Sequence, residues 1–585
     1  MPGLPIDGAS ADGDALFCSS QVSLANGNVL TTGGTKYYLE PNVPGTGYGV
    51  SELEGSKSSR IYNVLANRWT YTGSMNFGRW YPSLLTLPSG NLFVASGVTK
   101  LLKPIYPDQP ANSGTNVKQT ETYNLSSGTW SYNGTAADNS LPLYPRLHLL
   151  PDGKIYYDAG GQTFNPDGQS YDEALWNVAS LYDPLKPAGG WTKLGVPGLG
   201  TASPGFRGSA FSVMLPISAP YTTASFLSAG GVDGVTPGSY LATNTSEINS
   251  VNTAAGDAWT STPTGNLNNA RWYSTGTVLP DGKVMAFSGA NRDEVVAPGT
   301  GNPITQAEEY DPATGTWTAM ADASHGRTYH NSAVLLPTGQ VLVGGHAPIN
   351  TLYANQQTLP GGFSNNYRDD TFEIYSPPYL FYGPQPRITH VSSRVLGYGG
   401  TITIATPDAD AVAAGGKVML ARNPADTHLV DADQRMVQLP VVGHTHNSVT
   451  VATPPTASVA PPGPYMLFID AARAQGLEPS KAAQVFVEGP GMRSPLGVAG
   501  SSAPQSSTAT AAQPAAPGAA PPAAAVAPPA DVAIAPSLVA TPASAPAAAP
   551  ARNFVEIAGI AGLALVISAA TAITRRRLRS RRAPP

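Results

Sequence analysis

The sequence has little cysteine, little histidine and little charge. It holds one Cys and eight His in 585 residues. Only 12% of residues are charged, and 33 Lys and Arg stand against 38 Asp and Glu, a formal net charge of −5. One cysteine excludes an intrachain disulfide framework and any Cys-rich zinc or iron–sulfur site. It says little about redox compartment, because secreted and cytosolic proteins can both carry a single thiol. Without a basic excess, a nucleic-acid partner is a poor fit. What is abundant is Gly (62), Pro (56) and Tyr (26), with eight Trp. That composition argues against helical bundles and coiled coils and for turn-rich β structure, with length for more than one core.

The end of the chain divides first. Residues 491–553 are dominated by Ala, Pro, Ser, Thr and Val, which cannot bury enough varied apolar surface to fold. Their frequent Pro makes them a semi-extended, disordered linker. Residues 554–574 follow as an expected transmembrane helix. Its uncharged core, 557–574, would span about 27 Å, enough for a bilayer interior. Residues 575–585 then carry six arginines, from Arg575 to Arg582. An arginine cluster after an apolar span predicts a cytoplasmic tail, with everything before the anchor on the extracytoplasmic, cell-surface side. Setting those arginines aside leaves 27 basic against 38 acidic residues, so the exported part would carry −11. Residues 1–13 hold no basic or apolar signal region. Export therefore implies insertion by the tail or a signal upstream of the given start.

Residues 1–384 are organised by a repeat. A Gly turn, an apolar β run and a Gly-Gly or Ser-Gly ending recur from Asn26-Gly27 to Thr338-Gly339. The turn glycines Gly27, Gly90 and Gly153 are 63 residues apart. A second phrase interleaves: Tyr62 to Trp69, Tyr123 to Trp130, Tyr182 to Trp191 and Tyr310 to Trp317. Each reads as two short strands joined by a turn, with an aromatic packed between blades. Repeats of this length built from short strands predict an all-β, kelch-type β-propeller.

A third register precedes the turns. Its triplets are Arg79-Trp80-Tyr81, Arg146-Leu147-His148, Arg207-Gly208-Ser209, Arg271-Trp272-Tyr273 and Arg327-Thr328-Tyr329. Cys18 lies 63 residues before Tyr81 and so shares it. Equivalent positions on successive blades converge on the axis, which directs Cys18, Tyr81 and Tyr329 to one mouth. Units starting at 18, 81, 148, 209, 273 and 329 number six. A seven-bladed ring would need another 60 or so residues upstream, so a truncated first blade is expected. After Pro384 the kelch phrases stop. Residues 385–490 alternate as short strands and predict an immunoglobulin-like sandwich.

Candidate ligands are few. His330 follows Tyr329 directly, and His428 lies in the sandwich segment Thr427-His428-Leu429-Val430-Asp431-Ala432-Asp433-Gln434-Arg435. A metal held by the propeller and capped by a sandwich loop could use both, and imidazole nitrogen with phenolate oxygen suits Cu(II). His444 and His446 fall in a turn between strands and are assigned no role.

Five fragments in order now resemble the copper radical oxidases, the family of galactose oxidase and glyoxal oxidase. They are Phe17-Cys18, Arg79-Trp80-Tyr81-Pro82, Gly326-Arg327-Thr328-Tyr329-His330-Asn331, Glu373-Ile374-Tyr375-Ser376-Pro377-Pro378-Tyr379-Leu380, and Thr427-His428 with Asp433-Gln434-Arg435. The resemblance covers roughly residues 14–490, and the Cys-to-Tyr spacing is similar to the glyoxal oxidase branch. It implies a seven-bladed propeller followed by the sandwich. It implies Cu(2+) as cofactor and a thioether crosslink between Cys18 and Tyr81 as a radical cofactor. Tyr81, His330 and His428 would be equatorial copper ligands, and Tyr329 the axial ligand and base.

The implied reaction oxidises a small aldehyde, as its hydrate, or a primary alcohol with O2, giving the acid or aldehyde and H2O2. An aromatic is expected over the crosslink, and Trp80, Phe206, Trp272 and Tyr240 are open for that place. Arg207 is open as a substrate contact or as a structural arginine of the repeat. The alternative to an oxidase is a non-catalytic kelch propeller that binds glycans or protein partners at the cell surface.

Overall fold

The computed structural model describes residues 6–7, 15–40, 50–100, 116–162, 176–199, 205, 207–233, 241–291, 303–346, 369 and 371–488. The linker, the expected anchor at 554–574, its arginine tail, Phe206 and Tyr240 lie outside the described residues. Among the described residues no helix is long and apolar enough to cross a membrane.

The repeat becomes sheets. Blade 1 orders Arg68–Thr72, Ser59–Asn63, Val29–Glu40 and Ala15–Ser23. Blade 2 is Ser83–Thr86, Leu92–Ala95, Glu121–Asn124 and Thr129–Tyr132, and blade 3 is Leu147–Leu149, Ile155–Tyr157, Ala179–Tyr182 and Trp191–Gly195. Blade 4 runs Phe211–Met214, Thr223–Ala229, Ser246–Asn252 and Ala258–Pro263. Blade 5 runs Thr275–Val278, Val284–Phe287, Gln306–Asp311 and Thr316–Asp322. Blade 6 pairs three strands, Ser332–Leu335, Val341–Gly344 and Phe372–Tyr375. Six such sheets stand among the described residues, one per repeat unit.

Local sequence explains the pattern. The first hairpins of blades 1, 2, 3, 5 and 6 turn through a glycine in the left-handed region, as at Gly90 (φ 81°), whose N–H donates to Leu87 O at 2.9 Å. The Tyr and Trp of the second phrase are directly paired across their hairpin, as Trp130 is with Tyr123. Their ring centroids lie 5.2 Å apart in blades 1, 2, 3 and 5. The indole then reaches the preceding blade: Trp130 Nε1 donates to Ser59 Oγ at 2.9 Å and Trp317 Nε1 to Ser246 Oγ at 3.1 Å.

A further repeated bond was not read from the sequence. The inner-loop arginine of a blade pairs with a glutamate of the third strand, which in blades 2 and 5 lies two residues before that strand's tyrosine. Arg79 meets Glu121 at 2.8 Å, Arg207 meets Glu247 at 2.9 Å and Arg271 meets Glu308 at 2.6 Å, all buried.

The sandwich has two sheets. One orders His390–Val391, Thr401–Ala405, Ser448–Ala452 and Val441–Thr445. The other orders Val395–Leu396, Ala483–Val487, Gly463–Arg473, Lys417–Arg422 and Met436–Leu439. Alternation in Ser448–Ala452 sends Val449 and Val451 inward to one core with Ile402, Ile404, Leu467 and Val485. That core continues into Met214 and Phe226 of blade 4, so propeller and sandwich share buried apolar surface.

The connection between Lys417–Arg422 and Met436–Leu439 leaves the sandwich and enters the propeller axis. Asp433 accepts from Thr86 N and Thr86 Oγ1, both at 2.6 Å, in blade 2. Gln434 Oε1 accepts from Met214 N at 2.9 Å in blade 4. Asp426 Oδ2 accepts from Ala333 N at 3.3 Å in blade 6, and Asp426 O accepts from Gln21 Nε2 at 2.8 Å in blade 1. Arg435 donates to Leu149 O in blade 3. This connection carries His428.

Candidate metal centre

The mouth is built by backbone strain repeated around the axis. Cys18 (φ 67°), Tyr81 (63°), Tyr144 (44°), Ser209 (55°), Tyr273 (55°) and His330 (54°) all take the left-handed conformation. For residues with a Cβ this costs about 1 kcal/mol or more each, and it persists only where the surroundings impose it. Here a chain of backbone bonds does so. Tyr81 N donates to Cys18 O at 3.0 Å, Tyr144 N to Tyr81 O at 2.8 Å and Tyr273 N to Ser209 O at 3.1 Å.

The third register therefore needs two corrections. Its member in blade 3 is Tyr144, not His148, and its member in blade 6 is His330 rather than Tyr329. His148 is buried on the inner strand of blade 3, with Nε2 2.9 Å from Ser212 Oγ. Leu143-Tyr144-Pro145 repeats the Tyr81-Pro82 dipeptide 63 residues on, a signal the triplet beginning at Arg146 obscured.

The anticipated residues converge. The Cys18, His330 and His428 ligand atoms lie within 4.8 Å of one another, with Cys18 Sγ 3.8 Å from His428 Nε2. The Tyr81 and Tyr329 hydroxyls share a short hydrogen bond. Tyr81 OH is 3.4 Å from His330 Nε2. His428, itself left-handed (φ 48°), has Nδ1 2.8 Å from Thr427 Oγ1, which leaves Nε2 facing the cluster. Gln162 Nε2 donates to Tyr329 OH at 3.3 Å. Tyr144 OH donates to Ser19 O at 2.8 Å and lies 3.4 Å from His428 Nδ1. Thr427, Gln162 and Tyr144 were not read as site residues from the sequence.

The aromatic over Tyr81 is Trp80, at 3.8 Å between centroids and 10° between planes. Tyr144 stacks on it too, at 4.4 Å and 27°. Trp272 packs on Tyr273 instead, at 4.4 Å. Arg207 is buried in its pair with Glu247, so it is the structural arginine of the repeat. His444 is exposed and His446 pairs with Asp410 on the exposed surface.

Electrostatics favour a cation here. Burial raises the Tyr81 phenol well above its ordinary value, and the nearby Cys18 and Tyr329 add to the rise. Burial likewise raises Tyr329, with Tyr273 and Cys18 adding. The Cys18 thiol is also pushed up by burial. Burial, with His330 beside it, pulls His428 well below the usual imidazole value and keeps its lone pair free. A bound cation is what reverses such shifts for phenols. Two imidazole nitrogens and two phenol oxygens form a donor set that fits Cu(II).

The chain is similar over both parts to proteins of one kind. A model of the galactose oxidase-like, Early set domain matches residues 385–487. A galactose oxidase of Gibberella zeae is 25% identical over 487 residues, covering 78% of this chain and 58% of that protein. The chain thus spans little more than half the length of that relative. An aldehyde oxidase of Vitis pseudoreticulata is 25% identical over 472 residues, covering 77% of this chain and 79% of its own. The solved structure of a fungal alcohol oxidase in complex with copper aligns with TM-score 0.60 and 23% identity, covering 81% of this chain and 85% of that one, a likeness of fold. The class is therefore an all-β chain of propeller and sandwich. The relatives it resembles in sequence are a galactose oxidase and an aldehyde oxidase.

Proposed function

We propose that this chain is a copper radical oxidase that converts small aldehydes, as hydrates, or primary alcohols with O2 into acids or aldehydes and H2O2. The observation that carries the reading is the meeting of Cys18, Tyr81, Tyr329, His330 and His428 from four distant segments at one point. Tyr81, Tyr329, His330 and His428 would hold the copper. Copper(II) would supply a one-electron acceptor and the positive charge that acidifies a substrate hydroxyl.

The side chains account for the rest. Thr427 fixes the His428 ring with Nε2 inward. Tyr329, whose hydroxyl lies against that of Tyr81, would take the substrate hydroxyl proton as a phenolate kept ionised by the bound cation. Gln162 orients the Tyr329 oxygen. Tyr81, stacked on Trp80 and Tyr144, would form with Cys18 the thioether radical cofactor, which would supply the abstraction of the carbon-bound hydrogen. The second redox centre is needed because the substrate gives up two electrons. Forming the thioether breaks one S–H and one C–H bond and makes one S–C bond. Two electrons and two protons then pass to O2. In this reading residues 554–574 would be a membrane anchor and the arginines after them its cytoplasmic tail, with the oxidase on the extracytoplasmic face.

The test is peroxide release from the copper-loaded chain over a panel of small aldehydes and primary alcohols. At least one member of the panel gives O2-dependent peroxide, and Tyr329→Phe loses it by roughly 10²-fold or more. Absence of peroxide across the panel overturns the reading.

A further inference from the structure

A groove of about 580 Å3 lies on the sandwich, between residues 385–394 and 481–483. Its charge runs against the rest of the molecule. The chain is net acidic, yet no Asp or Glu lines the groove, while Arg387, Arg394, Lys481 and His390 do. All four are exposed. Among the described residues none of their side chains makes a hydrogen bond, ion pair or ring contact.

The carboxylates nearby are already engaged. Asp408 accepts from the Arg387 backbone N–H at 3.2 Å and lies 3.5 Å from Arg473. Glu478 is held by Arg473 at 2.7 Å. Gathering unpaired like charges in one concavity raises its potential and favours an anion there. Guanidinium groups are suited to binding carboxylate or phosphate oxygens in pairs. The volume matches that of small-molecule sites. The chain's own linker does not complement it, since residues 491–553 hold a single acid, Asp531.

We infer that this groove binds a small polyanion, a compact molecule carrying two or more carboxylate or phosphate groups. The site lies on the sandwich and stands independently of the oxidase reading. Calorimetry on the full chain tests it with two probes, a trisaccharide of galacturonic acid for carboxylate and inorganic pyrophosphate for phosphate. Binding of either probe is expected, weakening as salt rises. Arg387→Ala with Lys481→Glu lowers affinity by roughly ten-fold or more. Arg394→Gln is a second, milder variant.

Thermal stability and copper-dependent activity stay at parent values in both variants, which separates loss of the groove from loss of the fold. Binding of the trisaccharide alone identifies a carboxylated ligand, and binding of pyrophosphate alone a phosphorylated one. Failure of both probes to bind, or binding unchanged by both variants, overturns the inference.

Discussion

Blades 2 and 5 differ from blade 3 at one repeated bond. In blades 2 and 5 the inner-loop arginine ends in a buried pair, Arg79 with Glu121 and Arg271 with Glu308. In blade 3 the residue two before Tyr182 is Ser180, and among the described residues Arg146 meets no glutamate. Arg146 instead donates Nε to Ala210 O at 2.9 Å and Nη1 to Tyr144 O at 2.8 Å. The role of inter-strand staple passes to Asp158. It accepts from Ser212 Oγ (2.5 Å), Ser228 Oγ (2.5 Å), Tyr156 OH (2.7 Å) and Asn249 Nδ2 (2.8 Å). The inner-loop arginine thus serves the scaffold in blades 2, 4 and 5. In blade 3 it holds the strained Tyr144, which stacks on Tyr81.

That difference can be broken experimentally. Glu308→Ala leaves Arg271 buried and unpaired, and is expected to destabilise the protein by about 3–5 kcal/mol in denaturant unfolding. Ser180→Ala, at the matching position of blade 3, is expected to cost about 1 kcal/mol or less. Equal costs would mean the two blades are stapled alike. Asp158→Ala removes four hydrogen bonds from a buried network and should fall between them, at about 2–3 kcal/mol.

Arg146→Ala sharpens the functional side. It should lower the rate of peroxide formation in copper-loaded protein by more than its stability loss explains. A normal rate per folded molecule would leave Arg146 a purely structural residue.

A smaller effect follows from buried acids between propeller and sandwich. Burial pushes Asp281 up to about 7, and Asp470, buried with neither oxygen hydrogen-bonded, well above its ordinary value. A carboxyl group with a raised folded value keeps a proton that the unfolded chain has released. Its contribution is present at low pH and is lost as pH rises from about 4 through 7. Asp281→Asn should therefore gain stability relative to the parent as pH increases across that window. A constant difference between the two would contradict the assignment.

Much of this was legible before the structure. The turn glycines and the Tyr-to-Trp phrases placed the sheets because each encodes a local hairpin. Cys18 and Tyr81 could be aligned by period alone. Tyr144 was missed because blade 3 carries its arginine two residues after the left-handed position rather than two before it. Gln162 and Thr427 act through contacts between distant segments, and no local pattern marks them. The Arg–Glu staples were half visible: the arginines were seen to repeat, but their partners lie about 40 residues on, in a different strand.

The central claim is that Cys18 and Tyr81 form one cofactor. Peptide mass analysis after incubation with Cu(II) and oxygen tests it most directly. The account predicts that the peptides containing Cys18 and Tyr81 are recovered joined and two hydrogen atoms lighter than their sum, and that Cys18→Ala abolishes the product. Recovery of both peptides separately, with the Cys18 thiol still open to alkylation, would contradict it.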